Sequence, residues 1–332
     1  MEANDDIRDL IIIGAGPSAL SAAIYTTRED IDTIMYEKAV IGGLAATTDH
    51  IDNYPGFADG VDGLKLSEQM QVQAERFGAK LAFGEVLAIQ NRGSYKWLKT
   101  DTGEVKAKAV LIATGSDYKK IGVPGEAEFY GRGVHYCATC DGAFYRQKRL
   151  VVIGGGNSAV QEAIFLTRFA SHIDMLVRGT VSASDVLQED LERYTADGRI
   201  TIHLGMQTLE IQADDNHSVN KVIGERAGEK VEFETDGVFV FVGLKPNTEF
   251  LHDTELEFDP LGFIVTDGHL ETAIPGVFAS GDVRHGATAQ IASAVGEGAT
   301  AALHIREYLH ALSRPEKLAT IDAERPNLTI SA

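Results

Sequence analysis

The fold is decided by one stretch near the start of the chain, Leu10-Ile11-Ile12-Ile13-Gly14-Ala15-Gly16-Pro17-Ser18-Ala19. Its four consecutive apolar residues predict a strand that is buried on both faces, as in a parallel sheet. The two glycines and the helical composition that follows, from Pro17 to about Thr27, predict a tight turn into a helix. A second apolar run, Thr33-Ile34-Met35-Tyr36, ends at Glu37. We therefore predict a β-α-β unit.

The residue types in this turn suit a dinucleotide. Gly14 permits the tight turn, Gly16 lets a pyrophosphate approach the backbone, and Ala19 lets the helix pack closely on the strand. The start of the helix supplies N–H groups and a partial positive charge, and Glu37 can accept hydrogen bonds from a ribose. Strand, helix and acid together favour a dinucleotide site over a glycine-rich turn that binds nothing.

The same arrangement recurs after the apolar run Leu150-Val151-Val152-Ile153. The second glycine-rich stretch reads Gly154-Gly155-Gly156-Asn157-Ser158-Ala159. It predicts a helix from about Asn157 to Ala170, capped by the Asn157 side chain, and then a strand over 173–177. No acid follows that strand. Arg178 does, and an arginine there can accommodate a 2′-phosphate, which favours NADPH over NADH. The alternative is that Arg178 is an ordinary surface residue.

Between the two glycine-rich stretches lie the only cysteines of the chain, in Cys137-Ala138-Thr139-Cys140-Asp141. In a C-x-x-C pair one thiol commonly has a lowered pKa, which controls both attack and departure in thiol–disulfide exchange. Asp141 can move a proton to or from such a thiol. A zinc site needs two more ligands, and neither a third cysteine nor a pair of histidines lies beside the motif, so we predict no metal. Two buried, inert thiols are the other alternative.

Composition limits the classes of function. The chain has 332 residues and is 44% hydrophobic, enough for two domains with cores. Its net charge of −19 argues against binding to nucleic acid or to anionic membrane surfaces. No apolar stretch approaches the roughly 20 residues of a membrane span. The polar, acidic start over residues 1–9 lacks the pattern of a secretory signal, so we expect a cytoplasmic protein without a membrane segment.

Later strands complete the organisation. Strands are predicted over 110–113, before Thr114-Gly115, over 238–242, and over 275–279, before Ser280-Gly281-Asp282; a helix is predicted from about Gln290 to Leu312. The segment with Gly281 has no counterpart in the second β-α-β unit, so the chain must return to the first domain. We predict an α/β protein with two Rossmann-like dinucleotide-binding domains. The second, 117–245, carries the C-x-x-C pair and is inserted into the first, 1–116 and 246–332.

The chain resembles the low-molecular-weight thioredoxin reductases, which are FAD-dependent pyridine nucleotide–disulfide oxidoreductases, over about residues 8 to 312. The motifs that carry the resemblance are the two glycine-rich stretches, Asn53-Tyr54-Pro55-Gly56-Phe57, Ala113-Thr114-Gly115, Val123-Pro124-Gly125-Glu126, Cys137-Ala138-Thr139-Cys140-Asp141-Gly142 and Gly281-Asp282-Val283. The resemblance implies FAD in the first domain, NADPH in the inserted one, and a homodimer. It also implies that Cys140 faces the flavin, that Cys137 attacks the disulfide of thioredoxin or a thioredoxin-like protein, and that Asp141 is the acid/base.

The motifs and the resemblance together predict two sets of cofactor-binding residues. The set for FAD is Gly14, Gly16, Pro17, Ser18, Ala19, Glu37, Gly43, Asn53, Thr114, Gly115, Gly281, Asp282 and Gln290. The set for the pyridine nucleotide is Gly154, Gly156, Asn157, Ser158, Ala159 and Arg178.

Two departures from the family pattern bear on the electron donor. Where the family usually has His-Arg-Arg-x-x-x-Arg, residues 177–183 keep only the first arginine, Arg178, and an Arg-Gln pair near the flavin reads Ala289-Gln290. They leave open a disulfide oxidoreductase with another donor, NADH or ferredoxin, or a dithiol oxidase that passes electrons to oxygen. Outside the enzymes, the alternative is a flavin-binding redox sensor. The intact loop over 154–159 keeps NADPH the favoured donor.

Overall fold

The computed structural model of the protein describes residues 7–48 and 50–313. The chain divides into two compact units: Met1–Asp117 with Lys245–Ala332, here unit 1, and Tyr118–Leu244, here unit 2. Unit 2 is thus an insertion between the two segments of unit 1.

The described residues up to the first crossing form seven strands and two helices. They are β1 (Ile7–Ile13), α1 (Pro17–Thr27), β2 (Thr33–Glu37), α2 (Gly63–Arg76), β3 (Lys80–Phe83), β4 (Val86–Asn91), β5 (Lys96–Thr100), β6 (Gly103–Ile112) and β7 (Ser116–Tyr118). A 3-10 helix covers Gly43–Thr47.

The chain from there to the second crossing forms nine strands and three helices. They are β8 (Val134–His135), α3 (Ala138–Asp141), β9 (Arg149–Ile153), α4 (Asn157–Leu166), β10 (His172–Val177), α5 (Asp185–Ala196), β11 (Ile200–Leu204), β12 (Gln207–Ala213), β13 (Val219–Arg226), β14 (Glu229–Glu234), β15 (Gly237–Val240) and β16 (Leu244–Pro246). The last segment holds β17 (Val277–Ala279) and α6 (Ile291–Leu312), and 3-10 helices cover Gly142–Tyr145 and Glu249–Leu251.

Unit 1 is built on a seven-stranded sheet in the order β3-β2-β1-β6-β5-β4, with β17 also paired to β6. The strands β3, β2, β1, β6 and β17 run parallel, and β4 and β5 extend the sheet in antiparallel fashion. Because successive side chains of a strand point to opposite faces, Leu10 and Ile12 join the core under α1 and α6, while Ile11 and Ile13 join the core of the other face. Burial on both faces explains the unbroken apolar run of β1.

Unit 2 is also built on a parallel sheet whose central strand is buried on both faces. Its five-stranded sheet has the order β11-β10-β9-β15-β8, and all of its pairs are parallel. In β9, Leu150 and Val152 face one core and Val151 and Ile153 the other. A separate antiparallel sheet, β12-β13-β14, packs Val222 and Phe233 into the second core. The fold is α/β with two Rossmann-like units, the second inserted into the first, as the sequence predicts.

The predicted bounds of α1 are confirmed, and α6 begins one residue later than predicted. The cap of α4 was wrong. Its N-cap is Gly156, which has no side chain, and Oδ1 of the Asn157 side chain instead accepts a 2.8 Å hydrogen bond from the Ser184 backbone N–H. The helix also ends at Leu166 rather than at about Ala170. The Asn157 side chain thus bonds to Ser184, which is distant in sequence, instead of capping the helix as local propensity predicts.

Candidate active site

The first glycine-rich turn lies at the carboxyl ends of β1 and β6. The Gly14 N–H donates to the Tyr36 carbonyl oxygen over 2.8 Å. Gly14 has a φ of +103°, and a Cβ at this position would lie 2.5 Å from the Ala113 carbonyl oxygen. A side chain is therefore excluded both by the backbone conformation and by the neighbouring strand.

Gly16 has a different role from Gly14. It is the N-cap of α1, with ordinary φ, and a Cβ there would meet no atom within 4 Å. A Cβ at Gly43 would approach only the Gly16 Cα, at 3.9 Å. Pro17 follows at the first helical position, and Ala19 is fully buried. The first turn of α1 thus borders open space, which is what close approach of a pyrophosphate to a helix N-terminus requires.

Glu37 is held at the end of β2 by two backbone donors. The Ala15 N–H donates to Oε2 and the Ala39 N–H to Oε1, each over 2.8 Å. A carboxylate oxygen has two lone pairs, so each oxygen retains one acceptor site. The carboxylate is fixed beside the glycine-rich turn with acceptor capacity left for ribose hydroxyls.

The segment after β17 also meets α1. The Ser18 and Ser280 hydroxyls lie 2.6 Å apart, and both residues are buried. Gly281 has a φ of +74°, and its N–H donates over 2.8 Å to Oε2 of Glu297 on α6. Arg284 forms two further hydrogen bonds to the same carboxylate, from Nε at 2.9 Å and Nη2 at 2.6 Å. This clamp fixes the turn that carries Asp282.

Asp282 has acceptor capacity that the described residues do not use. No donor among residues 7–48 and 50–313 hydrogen-bonds to its carboxyl, and burial, with the Glu297 charge, raises its pKa to about 6. Arg284 and Glu297 were missed in the sequence. In the sequence they could have been noticed as two opposite charges, 13 residues apart, among mostly small and apolar residues before and within the start of α6.

Two further pairs join predicted residues from distant segments of unit 1. The Asn53 side-chain amide donates to Oε1 of Gln290 over 3.1 Å, which brings two predicted FAD residues together. Thr114 Oγ1 donates to the Asn247 backbone carbonyl oxygen at 2.8 Å, and the Asn247 side-chain amide donates back to the Thr114 carbonyl oxygen at 3.0 Å. The Asn247 backbone N–H donates to the Gly115 carbonyl oxygen. Asn247 was not predicted. It holds the end of β6 in place.

The glycine-rich loop of unit 2 repeats the division between a packed and an open glycine. Gly154 has a φ of +144°, and a Cβ there would collide with the Phe241 carbonyl oxygen. At Gly156 a Cβ would meet only Ser182 Oγ, 4.0 Å away. Ala159 is fully buried and Ser158 is exposed. The start of α4 is therefore open to a ligand in the same way as the start of α1.

Residues 178–184 fold back over this loop. The Ser182 N–H donates to the Gly155 carbonyl oxygen at 2.7 Å. Arg178 leaves β10 at its carboxyl end and is exposed, and none of the described residues hydrogen-bonds or ion-pairs with its guanidinium. Its position at the carboxyl end of β10 suits contact with the adenosine end of a nucleotide.

The two cysteines form a disulfide at the start of the short helix α3. Cys137 occupies the N-cap position, and its sulfur accepts a 3.1 Å hydrogen bond from the Cys140 N–H. The Asp141 N–H donates to the Cys137 carbonyl oxygen over 3.2 Å, so the carboxyl group lies on the same helical turn. Both cysteines are half-buried. One turn of chain thus carries the disulfide and a carboxyl group.

The side chains of Asp141, His135 and Tyr145 contact one another in a row that leads into the interior of unit 2. Oδ2 of Asp141 lies 3.2 Å from Nδ1 of His135, and Nε2 of His135 lies 2.7 Å from the Tyr145 hydroxyl. The His135 ring stacks on Phe239 with centroids 5.2 Å apart. Burial, with the charges of Asp141 and Asp236, raises the pKa of Tyr145. His135 and Tyr145 were not predicted; their signal is a histidine two residues before the first cysteine.

Residues 8–298 match the family model described as pyridine nucleotide-disulphide oxidoreductase. The chain belongs to this family. It is an FAD-dependent oxidoreductase with two dinucleotide-binding units and a redox-active disulfide. Among its described residues, no cluster of His, Cys, Asp or Glu is arranged to hold a metal, and no helix is long and apolar enough to cross a membrane.

The chain is similar to thioredoxin reductases over nearly its whole length. A thioredoxin reductase of Bacillus subtilis is 40% identical over 94% of this chain and 98% of its own length. A thioredoxin reductase of Listeria monocytogenes is 38% identical over 94% of this chain and 97% of its own. The crystal structure of thioredoxin reductase from Streptococcus pyogenes matches with a TM-score of 0.86 and 39% identity, over 93% of this chain and 100% of that one.

Proposed function

We propose that this protein is a thioredoxin reductase, which passes electrons from NADPH, through FAD and the Cys137–Cys140 disulfide, to thioredoxin or a thioredoxin-like protein. The observation that carries the proposal is the disulfide itself. It lies in unit 2, on one helical turn with Asp141 and just ahead of β9 and its glycine-rich loop. The names of the full-length relatives support thioredoxin as the partner.

Unit 1 offers what FAD needs. The open first turn of α1 suits the pyrophosphate, Glu37 the adenosine ribose, and the unsatisfied Asp282 carboxyl the hydroxyls of the polyol chain. We assign the other predicted residues of unit 1 to the same site. When bound, FAD supplies the two-electron chemistry that links a nicotinamide to a disulfide.

The cysteines carry the exchange with the partner. The Cys137 thiolate attacks the thioredoxin disulfide, which forms a mixed disulfide and releases one thioredoxin sulfur as a thiolate. Cys140 then loses its proton to the Asp141 carboxylate and attacks the Cys137 sulfur, which restores the Cys137–Cys140 bond and releases the second thiolate. Two electrons pass to thioredoxin. The proton that Asp141 accepted and the proton that Cys137 lost on ionisation complete the thioredoxin dithiol.

We propose NADPH as donor because the start of α4 is open and Arg178 is exposed beside it. A single arginine supplies fewer charge-assisted hydrogen bonds to a 2′-phosphate than three would, so the preference over NADH is expected to be modest. NADH, ferredoxin or transfer of electrons to oxygen are the competing assignments. We also propose, from the family alone, that the enzyme is a homodimer.

One experiment tests donor and acceptor together. The FAD-loaded protein is titrated anaerobically with NADPH, NADH and reduced ferredoxin in parallel, and bleaching of the flavin is followed by absorbance. Thioredoxin is then added, and the appearance of its dithiol is measured by alkylation and mass. Bleaching by NADPH followed by thioredoxin reduction supports the proposal. Bleaching by ferredoxin alone, reoxidation of the flavin only after oxygen is admitted, or a reduced enzyme that does not turn over would assign the protein to the alternatives.

A further inference from the structure

We propose that Ser182 binds the pyrophosphate of the pyridine nucleotide, and that it serves NADPH and NADH equally. The inference rests on the proposed binding of that nucleotide at the start of α4. The Ser182 hydroxyl oxygen lies 4.0 Å from the position that a Cβ on Gly156 would occupy, beside the open first turn of the helix. Ser182 is exposed, so a ligand can reach it. A phosphate in the space next to Gly156 lies within hydrogen-bonding reach of this hydroxyl.

Two hydrogen bonds hold the segment that carries Ser182 against the glycine-rich loop. The Ser182 N–H donates to the Gly155 carbonyl oxygen at 2.7 Å, and the Ser184 N–H donates to Oδ1 of Asn157 at 2.8 Å. Between these two bonds, Ala183 is buried in a core cluster of unit 2. The fold therefore sets the position of the Ser182 side chain before a nucleotide binds, which lowers the entropic cost of the contact.

The Ser182 hydroxyl is only weakly engaged within the protein. It donates to the Gly155 carbonyl oxygen at 3.4 Å, which is long compared with the usual length of about 2.7 Å for an O–H···O bond. Because the hydroxyl hydrogen rotates freely, it can donate to a phosphate oxygen instead. A hydrogen bond to an ionised acceptor is shorter and about twice as strong as one between neutral groups. Exchange of the weak bond for the strong one favours the bound nucleotide.

Ser182 and Arg178 have different parts in recognition. Arg178 is exposed at the carboxyl end of β10, where it suits the 2′-phosphate that only NADPH carries. The pyrophosphate is common to NADPH and NADH, so contact with Ser182 adds affinity without selectivity. In unit 1, a Cβ on Gly16 would meet no atom of the described residues within 4 Å, so this contact belongs to unit 2.

The test measures equilibrium binding. Oxidised holoenzyme is titrated by calorimetry with NADP⁺, with NAD⁺, and with ADP-ribose, which has the pyrophosphate but neither the nicotinamide nor the 2′-phosphate. Ser182→Ala is expected to raise all three Kd values by about five- to tenfold, as loss of one hydrogen bond to an ionised group predicts. Ser182→Thr retains the hydroxyl and should stay within about twofold of the wild type. Arg178→Ala should raise the Kd of NADP⁺ alone.

Ser184→Ala is the matched control. Ser184 is an exposed serine of the same segment, and its side chain makes no capping hydrogen bond to α5. All three Kd values should equal those of the wild type. Ser182→Asp is a second, independent variant. Its carboxylate lies beside the start of α4 and repels a phosphate there, so the three Kd values should rise by more than about tenfold. Ser184→Asp, with the same charge farther from the helix start, should have a smaller effect because salt screens it.

Three results would overturn the proposal: unchanged Kd values in both Ser182→Ala and Ser182→Asp, a loss in Ser182→Ala that is confined to NADP⁺, or an equal loss in Ser184→Ala. Each of them would leave the proposed function intact, because the wild-type enzyme would still bind its nucleotide. A wild-type enzyme that binds none of the three ligands would instead refute nucleotide binding at α4, and with it both the proposed donor and the role of Ser182.

Discussion

Substituting Gly16 with alanine is expected to weaken FAD binding by about 10- to 100-fold while leaving the apoprotein folded. At this position φ is −74°, and an added Cβ meets no atom of the protein within 4 Å. The methyl group therefore costs the fold little, about 0.5 kcal/mol for alanine in place of glycine at an N-cap. It fills the space through which a pyrophosphate must approach the start of α1, and such steric exclusion costs about 1.5–3 kcal/mol of binding.

Gly14→Ala is the matched control, because the two glycines lie in one turn and differ in what surrounds them. A left-handed φ costs a side chain about 1–2 kcal/mol, and the 2.5 Å approach to the Ala113 carbonyl oxygen adds about 1–3 kcal/mol of overpacking. The loss of folding free energy is then about 2–5 kcal/mol, several times that of Gly16→Ala.

The assay is a pair of measurements on each apoprotein, a urea unfolding curve and a titration with FAD followed by flavin fluorescence. Gly16→Ala should keep the wild-type midpoint and lose affinity, and Gly14→Ala should lose stability first. If Gly16→Ala binds FAD as tightly as the wild type, the open turn of α1 does not hold the pyrophosphate. If Gly14→Ala unfolds at the wild-type midpoint, the packing argument is wrong.

Four other variants test separate parts of the site. Cys137→Ser should abolish reduction of thioredoxin while NADPH still bleaches the flavin, and Cys140→Ser should stop electrons between flavin and disulfide; full thioredoxin reduction by either variant, measured by thiol release, would reject their roles. Arg178→Ala should raise the KM for NADPH by about five- to tenfold and that for NADH by less than about twofold, whereas equal effects would make Arg178 a surface residue. The pKa of Asp282 is about 6 in the folded protein, against 3.8 for an ordinary aspartate, so the native state holds this proton more tightly. Its contribution to apoprotein stability is therefore present below pH 4 and lost as pH rises to 6, by at most about 3 kcal/mol, and Asp282→Asn should remove this dependence from urea midpoints measured across that window.

The helices and strands predicted from the sequence are those whose signal is local. The four-residue apolar runs of β1 and β9 are buried on both faces, and that burial is why they contain no polar alternation. The bounds of α1 follow from Pro17 at its first position. The antiparallel strands β12 to β14 escaped prediction, because their half-buried pattern is interrupted by bulges and by a loop.

The capping of α4 shows the limit of local reasoning. Asn157 has the right chemistry for a cap, and propensity alone assigns it that role. In the folded chain its side chain accepts from Ser184 instead, 27 residues away. A side chain makes one such choice, and the choice belongs to whichever donor the tertiary structure brings into range.

The sequence by itself determined the two β-α-β units, the C-x-x-C pair and the two glycine-rich turns, since each depends on a local pattern of residues. Only the tertiary structure decided which groups complete them. Glu297 and Arg284 clamp the turn before Asp282, Asn247 braces Thr114, and His135 connects Asp141 to Tyr145. These contacts depend on the direction of a side chain within a packed core. Neighbouring strands and helices fix that direction, so it cannot be predicted from the spacing of residues along the chain.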